Sequence, residues 1–292
     1  MDNKVQVDRK NKHCSFEARD KDLLMQQIIH MHDQGFSQVD IAKNLGISRG
    51  TILRWNKELK FFPPRLPGEA GKLKSKIYYY DENFFKVMDD PNKAYILGFI
   101  MGDGCVHDRQ KSMRLVITLA IQDKQILEDI AEYLAVSEIL KIRKSKKRNE
   151  QDKISLVLNS TTMCKDLSKY GINPNKTGKE TFPNLNDISY QWAFLRGLFD
   201  ADGHIRKHLR GNHLKAKFSL TSNKDILLQV KKFFETEGIE TTPNCIYKKE
   251  GCYSLDLGSV KTIQKIYLKL YGKETGTLNL NRKHGVFKSL MI

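Results

Sequence analysis

Two segments of this chain, 99 residues apart, follow one pattern. Ala94-Tyr95-Ile96-Leu97-Gly98-Phe99-Ile100-Met101-Gly102-Asp103-Gly104 and Ala193-Phe194-Leu195-Arg196-Gly197-Leu198-Phe199-Asp200-Ala201-Asp202-Gly203 match in residue type at most positions without a gap. Each stretch reads as an apolar helix ending in Asp-Gly. Small residues recur four apart within it, Gly98 with Gly102 and Gly197 with Ala201, and residues at i and i+4 share one helical face. Each helix therefore carries a stripe almost free of side chains. Two such stripes let backbones approach closely, a packing logic best documented in membrane helices. The duplication extends beyond the helices: one block runs from Lys93 to about Gly178 and its counterpart from Gln191 to the end. Each reads as a helix, two strands, a helix, two strands and a helix. The expected fold class is α+β, with two pseudo-symmetric αββαββα repeats over 77–186 and 187–292.

If the repeats pack through these stripes, their helix C-termini meet, with Gly104 and Gly203 as natural C′ residues. Asp103 and Asp202 then lie side by side at the negative ends of two helix dipoles, where the carboxylates also repel each other. A cation removes both costs. Carboxylates and helix-end carbonyls are hard oxygen ligands, which suit Mg²⁺ rather than zinc. Paired divalent ions can stabilise both the attacking and the leaving oxygens of a phosphodiester displacement.

The composition agrees with such a partner. Fifty Lys and Arg against 34 Asp and Glu leave a formal charge of +16, and the pI is near 9.5. That balance favours a polyanion, although a basic membrane-surface protein would also fit it. Hydrophobic residues reach 40%, with 14 Phe and 11 Tyr, which excludes bulk disorder. No apolar run reaches the roughly 18 residues of a membrane span and no signal-peptide pattern opens the chain, so a cytoplasmic location is expected. The five cysteines are scattered and form no Cys-x-x-Cys pair. Neither a disulfide framework nor a zinc site is expected.

The paired segments resemble the motifs of the LAGLIDADG homing endonuclease family in its single-chain, two-motif form, over roughly residues 77 to 292. In that family the eighth motif position is the metal-binding acid, which falls on Asp103 and Asp202, with Gly102 and Ala201 preceding them in the metal site. The sixth position is often acidic too, and Asp200 fits where Met101 departs; its side chain is not the family's metal ligand. The resemblance also implies polar residues near the metals, on the second strand and at the start of the last helix. Gln122 fills the strand position in repeat one. In repeat two Thr221, Ser222 or Asn223 serves, with Ser222 preferred. Lys176 and Lys283 match the basic positions, where a lysine could offset developing phosphorane charge or orient the attacking water.

Period-two alternation follows each motif. Arg114, Val116, Thr118, Ala120 and Gln122 alternate with Leu115, Ile117, Leu119 and Ile121, while Lys215, Lys217, Ser219 and Thr221 alternate with Leu214, Ala216, Phe218 and Leu220. This is the pattern of half-buried antiparallel strands. Such strands form either an ordinary solvated face or a saddle laid in the DNA major groove, where basic and amide side chains read base edges. The basic run from Leu140 to Arg148 favours the second. Arg114, Lys141, Arg143, Lys147, Arg206, Lys215 and Lys217 are the expected contacts.

Ahead of the repeats, residues 1–20 are polar and without periodicity and read as a mobile tail, residues 21–60 as a small all-α helix-turn-helix domain, and residues 61–76, rich in Pro and Gly, as a linker. Ala42, Gly46 and Ile52 carry helix-turn-helix spacing, similar to resolvase and transposase modules. That spacing exposes Ser48, Arg49, Thr51 and Arg54 on a recognition helix, whose N-terminal residues usually meet base edges. Gly35 is expected to end the helix before it. The resemblance implies a monomeric, Mg²⁺-dependent endonuclease that cuts both strands of a long, roughly pseudo-palindromic DNA duplex and leaves staggered ends, in the service of intron or mobile-gene homing. A DNA-binding regulator without catalysis and an RNA maturase remain as alternatives. An intein is not expected, since no Cys, Ser or Thr follows the opening Met at the start and the chain ends Leu-Met-Ile rather than His-Asn.

Overall fold

The computed structural model describes residues 18–33, 36–61, 78, 80–110, 112–145, 150–175 and 178–291. The chain divides into two compact units, Met1–Tyr79 and Tyr80–Ile292. Gly35, the linker from residue 62 onward, Lys147, Lys176 and the tail up to residue 17 lie outside the described residues.

Among the described residues of the first unit three helices surround one small core: α1 (Ala18–Asp33), α2 (Gln38–Leu45) and α3 (Arg49–Leu59). Helix α1 begins three residues inside the segment expected as a tail. The Ser37 hydroxyl accepts the Asp40 N–H at 3.1 Å and the Ser48 hydroxyl accepts the Thr51 N–H at 3.0 Å, so both short helices have side-chain N-caps. Between them Gly46 adopts φ 67°, and its N–H returns to the Ala42 carbonyl. That left-handed turn is cheap for glycine and costly for a β-carbon residue. Ile28, Ile41, Ala42, Ile52 and Trp55 are buried together, which leaves Ser48, Arg49 and Arg54 exposed and Thr51 half-buried.

The second unit repeats one plan. Helix α4 (Pro91–Asp103), β1 (Gly104–Arg109), β2 (Ser112–Ala120), α5 (Lys124–Tyr133), β3 (Lys141–Arg143), β4 (Lys153–Leu158) and α6 (Thr161–Lys169) form the first repeat. Helix α7 (Ile188–Asp202), β5 (Gly203–Arg210), β6 (His213–Ser222), α8 (Lys224–Thr236), β7 (Ile246–Lys249), β8 (Cys252–Leu257) and α9 (Val260–Leu270) form the second, and α10 (Asn281–Lys288) follows it. Each repeat folds its strands into one antiparallel sheet, ordered β1-β2-β4-β3 and β5-β6-β8-β7. Gly104 pairs with Ile117 and Gly203 with Leu220, so the two sheets correspond residue by residue. One face of each sheet, carrying Leu115, Ile117, Ile154 and Leu156 or Phe218, Leu220 and Leu255, is buried. The alternate residues form the opposite face, which is open to solvent in the first sheet and partly covered in the second, where Ser219 and Ser254 are buried. Among the described residues no helix is long and apolar enough to cross a membrane.

Helices α4 and α7 pack against each other through the small-residue stripes. A Cβ on Gly98 would lie 1.9 Å from the Phe194 carbonyl oxygen, and one on Gly197 would lie 2.0 Å from the Tyr95 carbonyl oxygen. Each glycine thus receives the other helix's backbone at the equivalent position, which makes the crossing pseudo-two-fold. Gly104 and Gly203 differ from expectation: with φ −81° and −89° they are extended and open β1 and β5. Their need for glycine is crowding, since a Cβ would come within 2.6 Å of Ile100 Cγ2 and 2.2 Å of Phe199 Cδ2.

Candidate active site

The crossing delivers both helix C-termini to one place. A Cβ on Gly102 would meet Ala201 Cβ at 2.4 Å and Asp202 Oδ2 at 2.9 Å, so the Asp202 carboxylate reaches over the end of the opposite helix. Asp103 and Asp202 are both exposed there. Two carboxylates at two adjacent negative helix ends, with helix-terminal carbonyls beside them, form an all-oxygen donor set that fits Mg²⁺. Among the described residues no cluster of three or more Asp, Glu, His or Cys is arranged for a metal.

Behind the exposed acids the two repeats are chemically unlike. Arg196 and Asp200 are only 1% and 2% exposed. The Tyr95 hydroxyl of repeat one donates to Asp200 Oδ2 at 2.8 Å, and the Leu280 N–H donates to the same oxygen at 2.8 Å. Burial pushes the Asp200 carboxyl up to about 6 against these hydrogen bonds and the charges of Lys283 and Arg196. The Arg196 guanidinium donates to the Leu270 carbonyl at 3.0 Å and to the Thr275 hydroxyl and carbonyl at 3.0 and 2.7 Å. It also lies 5.2 Å from the Tyr95 ring centroid and 5.6 Å from that of Tyr271. Asp200 is thus an internal counter-charge, consistent with the expectation that the sixth motif position is no metal ligand. Asp200→Asn leaves two buried cations poorly compensated. It is expected to cost about 3 kcal/mol in a denaturant titration, while the rate of any DNA cleavage per folded molecule stays near wild type.

Lys283, 5% exposed, opens α10 as expected, but its ammonium is turned inward. It donates to the Phe199 and Asp200 carbonyls at 2.9 and 2.6 Å and more weakly to Ala201 at 3.4 Å. These are the terminal carbonyls of α7, so Lys283 closes that helix electrostatically. Burial lowers its ammonium to about 8, although Asp200, Asp103 and Asp202 pull the other way. Its neighbour Arg282 is the residue turned toward the other repeat. Its guanidinium grips Asp123 with two hydrogen bonds of 2.7 and 2.8 Å. The Asp123 hydrogen bond, with the charges of Asp123, Asp200 and Asp103, raises its pKa further. Sequence reasoning passed over Arg282, Asp123, Arg196 and Tyr95; only the adjacency of Arg282 to Lys283, and of Asp123 to Gln122, was a signal.

Gln122 is exposed, not on the second strand as expected but in the 3₁₀ turn (Ile121–Asp123) just after it. Ser222 ends β6 and shares the core-side face with Phe218 and Leu220, whereas Thr221 lies on the open face opposite Ser254. Asn223 caps α8, accepting the Ile226 N–H at 2.9 Å, and donates to the Glu180 carbonyl at 2.8 Å. On the open faces, Arg114, Lys141 and Arg143 project from the first sheet and Arg206, Lys215 and Lys217 from the second. A surface pocket of about 410 Å³ on the second sheet is lined by Arg206, His208, Arg210, Lys215, Lys217 and Asp256, among others.

Two matched motif helices that deliver paired acids between two four-stranded antiparallel sheets define a duplicated, single-chain scaffold of one protein class. A model of the LAGLIDADG-like domain matches residues 90–171 and again 189–272, and the chain belongs to that family. A model of the resolvase helix-turn-helix domain matches residues 17–58. Among curated proteins, the NrdEB alpha subunit of the ribonucleoside-diphosphate reductase of Bacillus subtilis (strain 168) is 25% identical over 171 residues, 55% of this chain and 16% of that protein. The matching subunit of Bacillus phage SPbeta gives the same values. An uncharacterized protein of Methanocaldococcus jannaschii is 22% identical over 191 residues, 62% of this chain and 60% of that one. The chain therefore spans only a small part of the reductase subunits it matches. Among solved structures, the LAGLIDADG meganuclease I-AabMI bound to uncleaved DNA superposes with TM-score 0.47 and 14% identity over 69% of this chain and 89% of that one. The LAGLIDADG homing endonuclease I-GzeII in complex with its DNA target gives 0.46 and 13% over 69% and 88%.

Proposed function

We propose that the protein is a site-specific, Mg²⁺-dependent DNA endonuclease that hydrolyses one phosphodiester in each strand and leaves staggered ends. The observation that carries this reading is the meeting of Asp103 and Asp202 at the crossing of α4 and α7, exposed and beside the open faces of two basic sheets. The two carboxylates, with the Gly102 and Ala201 carbonyls, would hold the metal. When bound, Mg²⁺ supplies charge to the attacking and leaving oxygens of the displacement. Gln122 and Ser222 or Thr221 would hold water near the scissile phosphates, and Lys176 is the basic residue assigned to repeat one. In repeat two Lys283 keeps the α7 terminus in place, and Arg282 presents a fixed positive charge close to Asp103. The sheets would lie against the duplex through Arg114, Lys141 and Arg143 on one side and Arg206, Lys215 and Lys217 on the other, with Lys147 a further DNA contact expected from the sequence. Ser48, Arg49, Thr51 and Arg54 of the helix-turn-helix would extend the footprint or raise the local concentration of the nuclease at its site. The protein would act as a monomer, one repeat to each half of the target, in homing of an intron or mobile gene.

The test is incubation of the full chain with a large randomised duplex library and Mg²⁺, beside an Asp103→Asn, Asp202→Asn variant. Staggered cuts at one long site, absent with the variant, are expected. Selective binding without cutting would replace the endonuclease with a DNA-binding regulator. Tighter binding of structured RNA than of any duplex would replace it with an RNA-directed role.

A further inference from the structure

The correspondence between the two sheets exposes one place where their open faces are opposite in chemistry. Val116 pairs with Val157 in the first sheet, and the same register cell of the second holds Ser219 paired with Asp256. Two residues toward the hairpin tip, both sheets carry a cation at equivalent positions, Arg114 and Lys217.

In the second sheet that cation is held. Lys217 Nζ forms an ion pair with Asp256 Oδ2, the Tyr247 hydroxyl donates to the same oxygen, and the Ser254 hydroxyl donates to Oδ1 at 2.7 Å. Burial opposes the charge on Asp256, yet these hydrogen bonds, with one from Ser219, outweigh it and bring the carboxyl down to about 2. Asp256 is therefore ionised near neutral pH, and its oxygens are already engaged within the sheet. Its side chain keeps 14% exposure against 37% for that of Lys217, so the lysine is the more accessible member of the pair. In the first sheet the cell beside Arg114 holds two isopropyl groups and no acid. Thr118 and Ser155, next along the strands, bond to each other at 3.0 Å.

Resting on the endonuclease reading above, we propose that these two cells make the target unlike in its two halves at one matched position. Lys217, whose ammonium the ion pair with Asp256 holds at the Ser219–Asp256 cell, selects guanine there, and the Val116–Val157 pair in the matching cell of the first sheet selects thymine. Guanine presents two adjacent acceptors, O6 and N7, in the major groove, which a fixed ammonium can satisfy together. Thymine presents its C5 methyl there, an apolar group that valine side chains can contact. Asp256 is a positioning residue in this scheme and touches no base. The arrangement departs from the internal symmetry, because a symmetric duplication would carry the same cell twice.

The experiment is selection of bound duplexes from a randomised library by the Asp103→Asn, Asp202→Asn chain, repeated in that background with Asp256→Asn and with Val116→Ser, Val157→Asp. Guanine enriched at one position and thymine at its mate across the pseudo-two-fold is the expected result, each favoured by about ten-fold. Asp256→Asn is expected to flatten the guanine preference at that position alone, with the rest of the selected site unchanged. Val116→Ser, Val157→Asp should move the mate from thymine toward guanine, through an Arg114 that has gained an acid. The same base at both mates, or a uniform loss of affinity in Asp256→Asn with base preference intact, would overturn the inference and leave the endonuclease reading standing. Failure of the chain to enrich any duplex would overturn both.

Discussion

A single methyl group added at Gly98 or at Gly197 is expected to cost about 4 kcal/mol or more, a large share of a typical domain's stability. Glycine inside a helix is ordinarily a weakness, and its replacement by alanine stabilises an exposed helix by about 1 kcal/mol. Here the sign reverses, because the added carbon would lie 1.9 Å from Phe194 O or 2.0 Å from Tyr95 O. Neither contact is with a flexible side-chain tip; each is with the backbone of a helix buried on all sides. Relief therefore requires α4 and α7 to move apart, which opens the core on both sides at once. Gly285 in α10 is the control, since an added Cβ there meets nothing within 4 Å. Gly285→Ala is expected to gain about 0.5–1 kcal/mol. Denaturant titration of the three variants checks the pair of signs. A Gly98→Ala protein as stable as wild type would mean that the crossing is looser than these distances require.

Replacement of either Asp103 or Asp202 by Asn is expected to lower double-strand cleavage by about a thousand-fold, with DNA affinity within a few-fold of wild type. Neither carboxylate is part of a sheet face, so base contacts do not depend on them. Both are exposed, so the amide enters without a cavity. A second readout is independent of cleavage. A metal bound only by the native state stabilises it by RT ln(1 + [M]/Kd), about 1.4 kcal/mol at ten times Kd. Mg²⁺ should therefore raise the melting temperature of the wild-type chain and leave that of the double Asn variant unmoved. Equal Mg²⁺ shifts in both proteins would detach the metal from this pair of acids.

The duplication was legible because it is written in residue types that only a close helix crossing uses, and Gly98, Gly102, Gly197 and Ala201 have no other common purpose at that spacing. The αββαββα order followed from period-two runs between the motifs. What stayed hidden was decided by tertiary surroundings. Arg196 in an apolar helix gives no sign that it is buried rather than surfacing, since its partners Leu270 and Thr275 are more than 70 positions away. Arg282 and Lys283 are adjacent basic residues about 100° apart around a helix, so which faces inward depends on the seating of α10. Gln122 continues the strand alternation on paper, but the ladder ends at Ala120. Gly104 and Gly203 looked like helix terminators of the left-handed kind and proved to be extended residues in crowded positions.

The Tyr95–Asp200 hydrogen bond joins one repeat to the other, and it has no mirror image. The residue equivalent to Tyr95 is Phe194, the one equivalent to Asp200 is Met101, and the one equivalent to Arg196 is Leu97. Two copies of the first half would leave tyrosine hydroxyls buried against methionine, and two copies of the second would bury carboxylates with no phenol to meet them. Neither half therefore has a matched polar core when paired with itself. The two halves divide the polar core between them, so neither can be exchanged for a copy of the other without leaving a buried polar group unmatched.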